Sequence, residues 1–175
     1  METIAFYRET IIKTYGFVEK TNLRMMSFEV SQSGIQAWGE GMEGLISALG
    51  AAFLLLIARP IGAFTLRIHL ILEELNPEPL LESRIQSLCG YSPETFQAIK
   101  AVELLFFHGP HFGDRYGIAF AALEVLEEQG LSVLAMACTA ASVFLVFPEG
   151  TLSQAREALG RAFFTPEVQR RGEQG

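Results

Sequence analysis

The apolar positions of the second half of the chain change period several times, and each change marks an element. Residues 103–108 (Glu-Leu-Leu-Phe-Phe-His) form a short aromatic run with strand composition. A glycine-rich loop follows over 109–117. Ile118, Ala119, Ala122, Leu123, Val125 and Leu126 then fall at helical spacing, with Glu124, Glu127 and Glu128 on the other face. Gly130 stands where a helix terminator belongs. Residues 131–137 and 142–147 read as two strands joined by a turn at 138–141. Pro148-Glu149-Gly150 is a break, and Thr151 can cap a helix carrying Leu152, Ala155, Leu159 and Phe163 on one face. Pro166 ends that helix.

The first half repeats the order more weakly. Residues 14–18 suggest a leading strand, and 23–30 a strand in which Met25, Ser27 and Glu29 alternate with Met26, Phe28 and Val30. The loop Ser31-Gln32-Ser33-Gly34 can cap a helix bearing Ile35, Trp38, Met42, Leu45, Ile46 and Leu49. Residues 52–58 and 64–72 read as strands around a turn at 59–62. A short helix is expected over 80–88, a linker over 90–93, and 92–99 could begin another helix.

Composition narrows the class. The chain has 175 residues, half of them hydrophobic and 19% charged, which is the composition of a chain with a packed core rather than a disordered one. The formal net charge of −7 and the lack of a basic run argue against a nucleic-acid partner. Mean hydropathy is +0.28, carried by residues 44–58 and 131–147. Both stretches fall short of the roughly 20 apolar residues of a membrane span, so no membrane partner is expected. Two cysteines make no disulfide framework. With no apolar export signal in residues 1–8, a cytoplasmic setting is expected.

The order strand, helix, strand, strand, helix lacks one final strand of the βαββαβ arrangement of ferredoxin-like folds. The polar tail offers little β-propensity, so that strand is either missing or supplied from elsewhere. The expectation is an α+β protein of two ferredoxin-like βαββαβ units, each an antiparallel sheet with helices on one face. The units are placed at residues 1–90 and 91–166, with a flexible tail over 167–175.

Three motifs carry a resemblance. The loop reads Asp114-Arg115-Tyr116-Gly117-Ile118-Ala119. The next helix and strand read Ala122-Leu123-Glu124-Val125-Leu126-Glu127-Glu128-Gln129-Gly130-Leu131-Ser132-Val133, and the last helix carries Ala155, Ala158, Leu159 and Phe163. Over about 60 residues this resembles the ACT domain, and most of all the tandem regulatory region at the end of aspartate kinases. The first half looks like a degenerate copy with Ser31-Gln32-Ser33-Gly34-Ile35 in place of the signature. No Gly-x-x-x-x-Gly-Lys phosphate loop is present, so the resemblance implies a free-standing regulatory pair and no catalysis.

The resemblance implies a small effector, an amino acid first, held by His111, Phe112, Gly113, Asp114, Arg115, Gly117 and Ile118 together with Ser132 and Val133. A helix N-terminus can hold a carboxylate, and Asp114 could take an ammonium group or serve only as a helix cap. Gly113 and Gly117 could serve ligand approach or a tight turn alone. The family's Ser-Thr-Ser-Glu stands here as Ala137-Cys138-Thr139-Ala140, without the carboxylate, and Ser132 stands where asparagine is common. No cofactor is expected. Partners would be a second copy or an enzyme. Two alternatives stay open: a non-catalytic interaction subunit of an amino-acid biosynthetic enzyme without its own ligand, and a metal-responsive sensor using His108, His111 and Cys138. His69, in an apolar strand, reads as structural.

Overall fold

The computed structural model describes residues 11–73, 83, 85 and 95–166. In chain order the elements are β1 (Ile12–Lys13), β2 (Phe17–Ser31), α1 (Ile35–Leu49), β3 (Phe53–Gly62), β4 (Thr65–Glu73), β5 (Gln97–His108), α2 (Ile118–Glu128), β6 (Ala135–Cys138), β7 (Ser142–Pro148), α3 (Leu152–Ala162) and β8 (Phe163–Phe164). The chain divides into two compact units. An inserted unit spans Lys20–Glu103, and a split unit joins the N-terminal segment through Glu19 to the segment from Leu104 onward.

This division differs from the expected break at residue 90. The units part within β2 and β5. These strands have 15 and 12 residues, about twice the common strand length, so one strand can serve both units. The expected elements over 80–88 and 90–93 lie almost wholly outside the described residues, as does the tail. A strand starting at Gln97 stands where 92–99 suggested a helix.

In the inserted unit the strand order is β3-β4-β2-β5, the ferredoxin-like order. The register of β2 on β4 is antiparallel and pairs Met26 with Leu70 and Phe28 with Ile68. Those side chains meet Met42 and Leu45 of α1 in one core, with Trp38 packed against it. The period-2 pattern of residues 25–30 therefore set the face correctly. The turn expected at 59–62 is instead strand: Arg59 pairs with Arg67 and Pro60 with Leu66, and the chain turns at Ala63-Phe64. Pro60 is tolerated because β3 is an edge strand with a register shift there.

In the split unit, β5, β7 and β6 are neighbours in that order. Leu105, Phe107, Val143, Leu145 and Phe147 face Ile118, Ala122 and Leu126 of α2 and Ala155, Ala158 and Leu159 of α3. The missing fourth strand is supplied from the other end of the chain. The start of β2 lies beside β5, with Phe17 and Phe107 ring centroids 5.2 Å apart, and β1 pairs in parallel with β8. Gly130 (φ +66°) ends α2 as expected: its N–H reaches Glu127 O and the Leu131 N–H reaches Leu126 O. That folded-back cap holds Leu131 out of the sheet, so β6 begins at Ala135 rather than Leu131.

Candidate functional site

Loop 109–117 leaves the end of β5 and enters α2 within the split unit. Phe112 anchors it: the ring is buried edge-on against Phe107 (centroids 6.0 Å) and near Phe163 (6.2 Å). Phe112 opens a 3-10 turn, Phe112–Asp114, preceded by His111 in left-handed conformation at φ 62°. A Cβ on Gly109 would sit 2.3 Å from Lys13 O and 2.4 Å from the Phe112 ring, so only glycine fits. A Cβ on Gly113 would sit 3.0 Å from Ala140 O in the turn between β6 and β7. These two glycines thus have a packing reason independent of any ligand.

Asp114 does not cap α2. The cap position belongs to Gly117, at φ 85°, whose carbonyl accepts from the Ala121 N–H at 2.9 Å. The Asp114 carboxylate is 69% exposed and lies 3.4 Å from His111 Nδ1. Arg115 donates to Ile11 O at 3.2 Å. Tyr116 is almost fully exposed, whereas Ile118 is buried in the core. The loop therefore offers one largely exposed carboxylate three residues ahead of the cap of an eleven-residue helix, whose first-turn N–H groups have no intrahelical acceptor. That pairing of an acidic group with a positive helix end suits a zwitterion.

His111, Phe112, Gly113, Asp114, Arg115, Gly117 and Ile118 follow one another along the loop and the helix start, with Phe112 and Ile118 buried in the core. The structure does not bring Ser132 and Val133 to them. Those two follow the C-terminal end of α2, which at 1.5 Å per residue puts about 16 Å of helix between the two groups within the unit. Val133 packs on the core and Ser132 is exposed. The turn at 139–141 lies beside the loop instead. Its Thr139 hydroxyl accepts from Ser142 N at 3.0 Å and closes the turn on itself. Cys138 is exposed, and the partial burial of its thiol raises its pKa above the ordinary value. Among the described residues no group of three or more His, Cys, Asp or Glu could hold a metal ion.

Two features escaped the sequence reading. The first is the segment Ile11, Lys13, Thr14 and Tyr15, which contacts the loop and the end of β5. Thr14 gave a signal only as a weak strand residue, yet it is fully buried, with Oγ1 donating to His108 O at 2.8 Å. The second is an open cavity of ≈ 430 Å³ in the inserted unit, lined by Ser31, Gln32, Ser33 and Phe64. It lies at that unit's own strand-to-helix loop, where Ser31 Oγ accepts from Gly34 N at 3.2 Å and Gln32 N donates to Phe64 O at 2.7 Å. The loop before α1 and the loop before α2 thus each pack on a hairpin turn.

No protein-family profile and no curated protein sequence matches the chain. Solved structures do match in fold. The aspartate kinase of Clostridium acetobutylicum superposes with TM-score 0.70 at 15% identity, over 89% of this chain and 37% of the kinase. The regulatory subunit of the Thermus thermophilus aspartate kinase, in ligand-free form, superposes with TM-score 0.67 at 12% identity, over 85% of this chain and 97% of the subunit. Aspartokinase III of E. coli in complex with lysine and aspartate gives TM-score 0.61 at 11% identity, over 90% of this chain and 35% of the enzyme. The chain spans about a third of the whole kinases and nearly all of the regulatory subunit. The fold is that of the aspartate kinase regulatory region: an antiparallel sheet with helices on one face. No helix among the described residues is long and apolar enough to cross a membrane.

Proposed function

We propose that the chain is a regulatory protein that binds a small effector, an amino acid being the class to test first, and passes the binding on to a partner enzyme or a second copy. It would work in the cytoplasm and carry no catalysis of its own. The observation behind this reading is the loop before α2, where the exposed Asp114 carboxylate lies three residues ahead of the Gly117 cap of the helix, in a fold shared with a regulatory subunit. A zwitterion would place its ammonium on Asp114 and its carboxylate on the first-turn N–H groups. Two solved structures support a ligand-dependent role: one is a regulatory subunit in ligand-free form, and another is held with lysine and aspartate. Partner association without a ligand is the second reading, favoured by the 97% coverage of a chain that is itself a subunit.

A thermal-unfolding screen against the twenty amino acids tests the proposal. At 100 times its dissociation constant a ligand adds about 2.7 kcal/mol, or about 5–10 °C for a chain of this size. One or two amino acids should give such a shift, and Asp114→Ala should lose it while keeping the unliganded melting temperature. A flat screen rejects amino-acid binding by the chain and leaves the subunit reading.

A further inference from the structure

The segment 11–19 does more than complete a sheet. Thr14, fully buried, donates from Oγ1 to His108 O at 2.8 Å, and the Tyr15 N–H reaches the same oxygen at 2.9 Å. The Tyr15 ring lies 5.2 Å from the His108 ring. One residue on, Gly109 is pressed against Lys13 O so closely that no side chain fits. From the loop itself, Arg115 reaches back to Ile11 O at 3.2 Å. At the far side, Thr14 N donates to Phe164 O at 2.8 Å and Glu19 pairs with Arg156 of α3 at 3.2 Å. The segment therefore holds loop 109–117 at its start and at Arg115, and is itself anchored to β8 and α3. Backbone held from two sides in this way has fewer independent ways to open.

We infer that the segment Ile11–Glu19 is a strap that positions loop 109–117, and that strap docking and loop order are one coupled equilibrium, with Thr14 and Arg115 as its two ties. Coupling of this kind is reciprocal: whatever orders the loop tightens the strap, and whatever pulls the strap loosens the loop. The coupling itself does not depend on a ligand. Its regulatory meaning rests on the proposed binding loop.

Hydrogen exchange by mass spectrometry on the full chain tests it. Thr14→Val removes the buried hydroxyl, which donates to His108 O and also accepts from the Gly16 N–H at 3.3 Å, and should speed exchange about tenfold or more in peptides covering 11–19 and 108–118 together. Peptides covering 64–73 and 143–148 should stay unchanged and report that the fold is intact. Arg115→Met places the change in the loop, on an exposed side chain, and should speed exchange in 11–19. If Thr14→Val loosens the strap and leaves 108–118 unchanged, or Arg115→Met leaves the strap unchanged, the coupling is wrong. Should Thr14→Val unfold the chain, the Arg115→Met result decides alone. With an amino acid from the thermal screen bound, slowing of 108–118 without slowing of 11–19 would overturn the coupling but keep the binding loop. Slowing of neither segment would overturn the binding loop while the variant results still judge the coupling.

Discussion

His69 shows how a single buried group reports its surroundings. It sits on β4 opposite Ser27 of β2, with Nδ1 2.7 Å from the Ser27 hydroxyl, which bears out its reading as a satisfied structural residue. Burial holds its pKa below the ordinary 6.5, and the Arg59 and Arg67 charges lower it further. Arg67 is paired with Glu29. The sign follows from proton counts. Below about pH 6.5 the unfolded chain takes up a proton at this site that the folded chain resists, so stability falls as the pH drops. His69→Gln removes this titration while keeping a hydrogen-bonding group. It should flatten the loss of melting temperature between about pH 7 and about pH 5.5 relative to the parent. Equal slopes in parent and variant would show that His69 does not carry the effect. Phe112 and Gly109 make the complementary point. The family resemblance placed Phe112 among the ligand contacts. In three dimensions the ring is core and Gly109 is the room made for it and for Lys13 O.

At the scale of elements, helix α1 is the least favoured locally. It carries Gly39, Gly41 and Gly44 and no side-chain cap of its own, since Ser31 caps the short 3-10 turn before it. Its stability comes from Met42 and Leu45 against the sheet. A Cβ at Gly39 or Gly44 would meet nothing within 4 Å. Gly39→Ala and Gly44→Ala should therefore each stabilise by about 0.5–1 kcal/mol, seen as a rise of about 1–4 °C in melting temperature. A fall at either site would mean that the added methyl group is not accommodated in the open space seen there. Helices α1, α2 and α3 were legible in sequence because each has a clear apolar stripe and, for α2, a glycine stop. Strand ends were less so. Residues 59–62 looked like a turn because Pro60 is a breaker, but an edge strand with a register shift tolerates it. The start of β6 was set by the α2 cap, a backbone device that leaves little trace in hydropathy.

For the whole molecule, what the sequence hid was covalent order. A pattern read left to right yields two consecutive units, because strands were assigned to whichever helix followed them. The split unit instead takes its fourth strand from the start of the chain and encloses the inserted unit in sequence. The tail's poor β-propensity was the one available clue, since it left the second βαββα set without its last strand. This arrangement has a consequence for dissection. Residues 91–175 alone would leave one edge of β5 bare, uncover Phe107 and Phe163, and lose the Thr14 and Tyr15 bonds to His108 O. An open edge with exposed aromatics favours aggregation over folding. Joining Glu19 to Leu104 through a short glycine-serine linker keeps every one of those contacts and deletes only the inserted unit. The linked chain should unfold in one cooperative transition, and residues 91–175 should show none and should associate. A cooperative transition from residues 91–175 would show that the strap is dispensable to the unit.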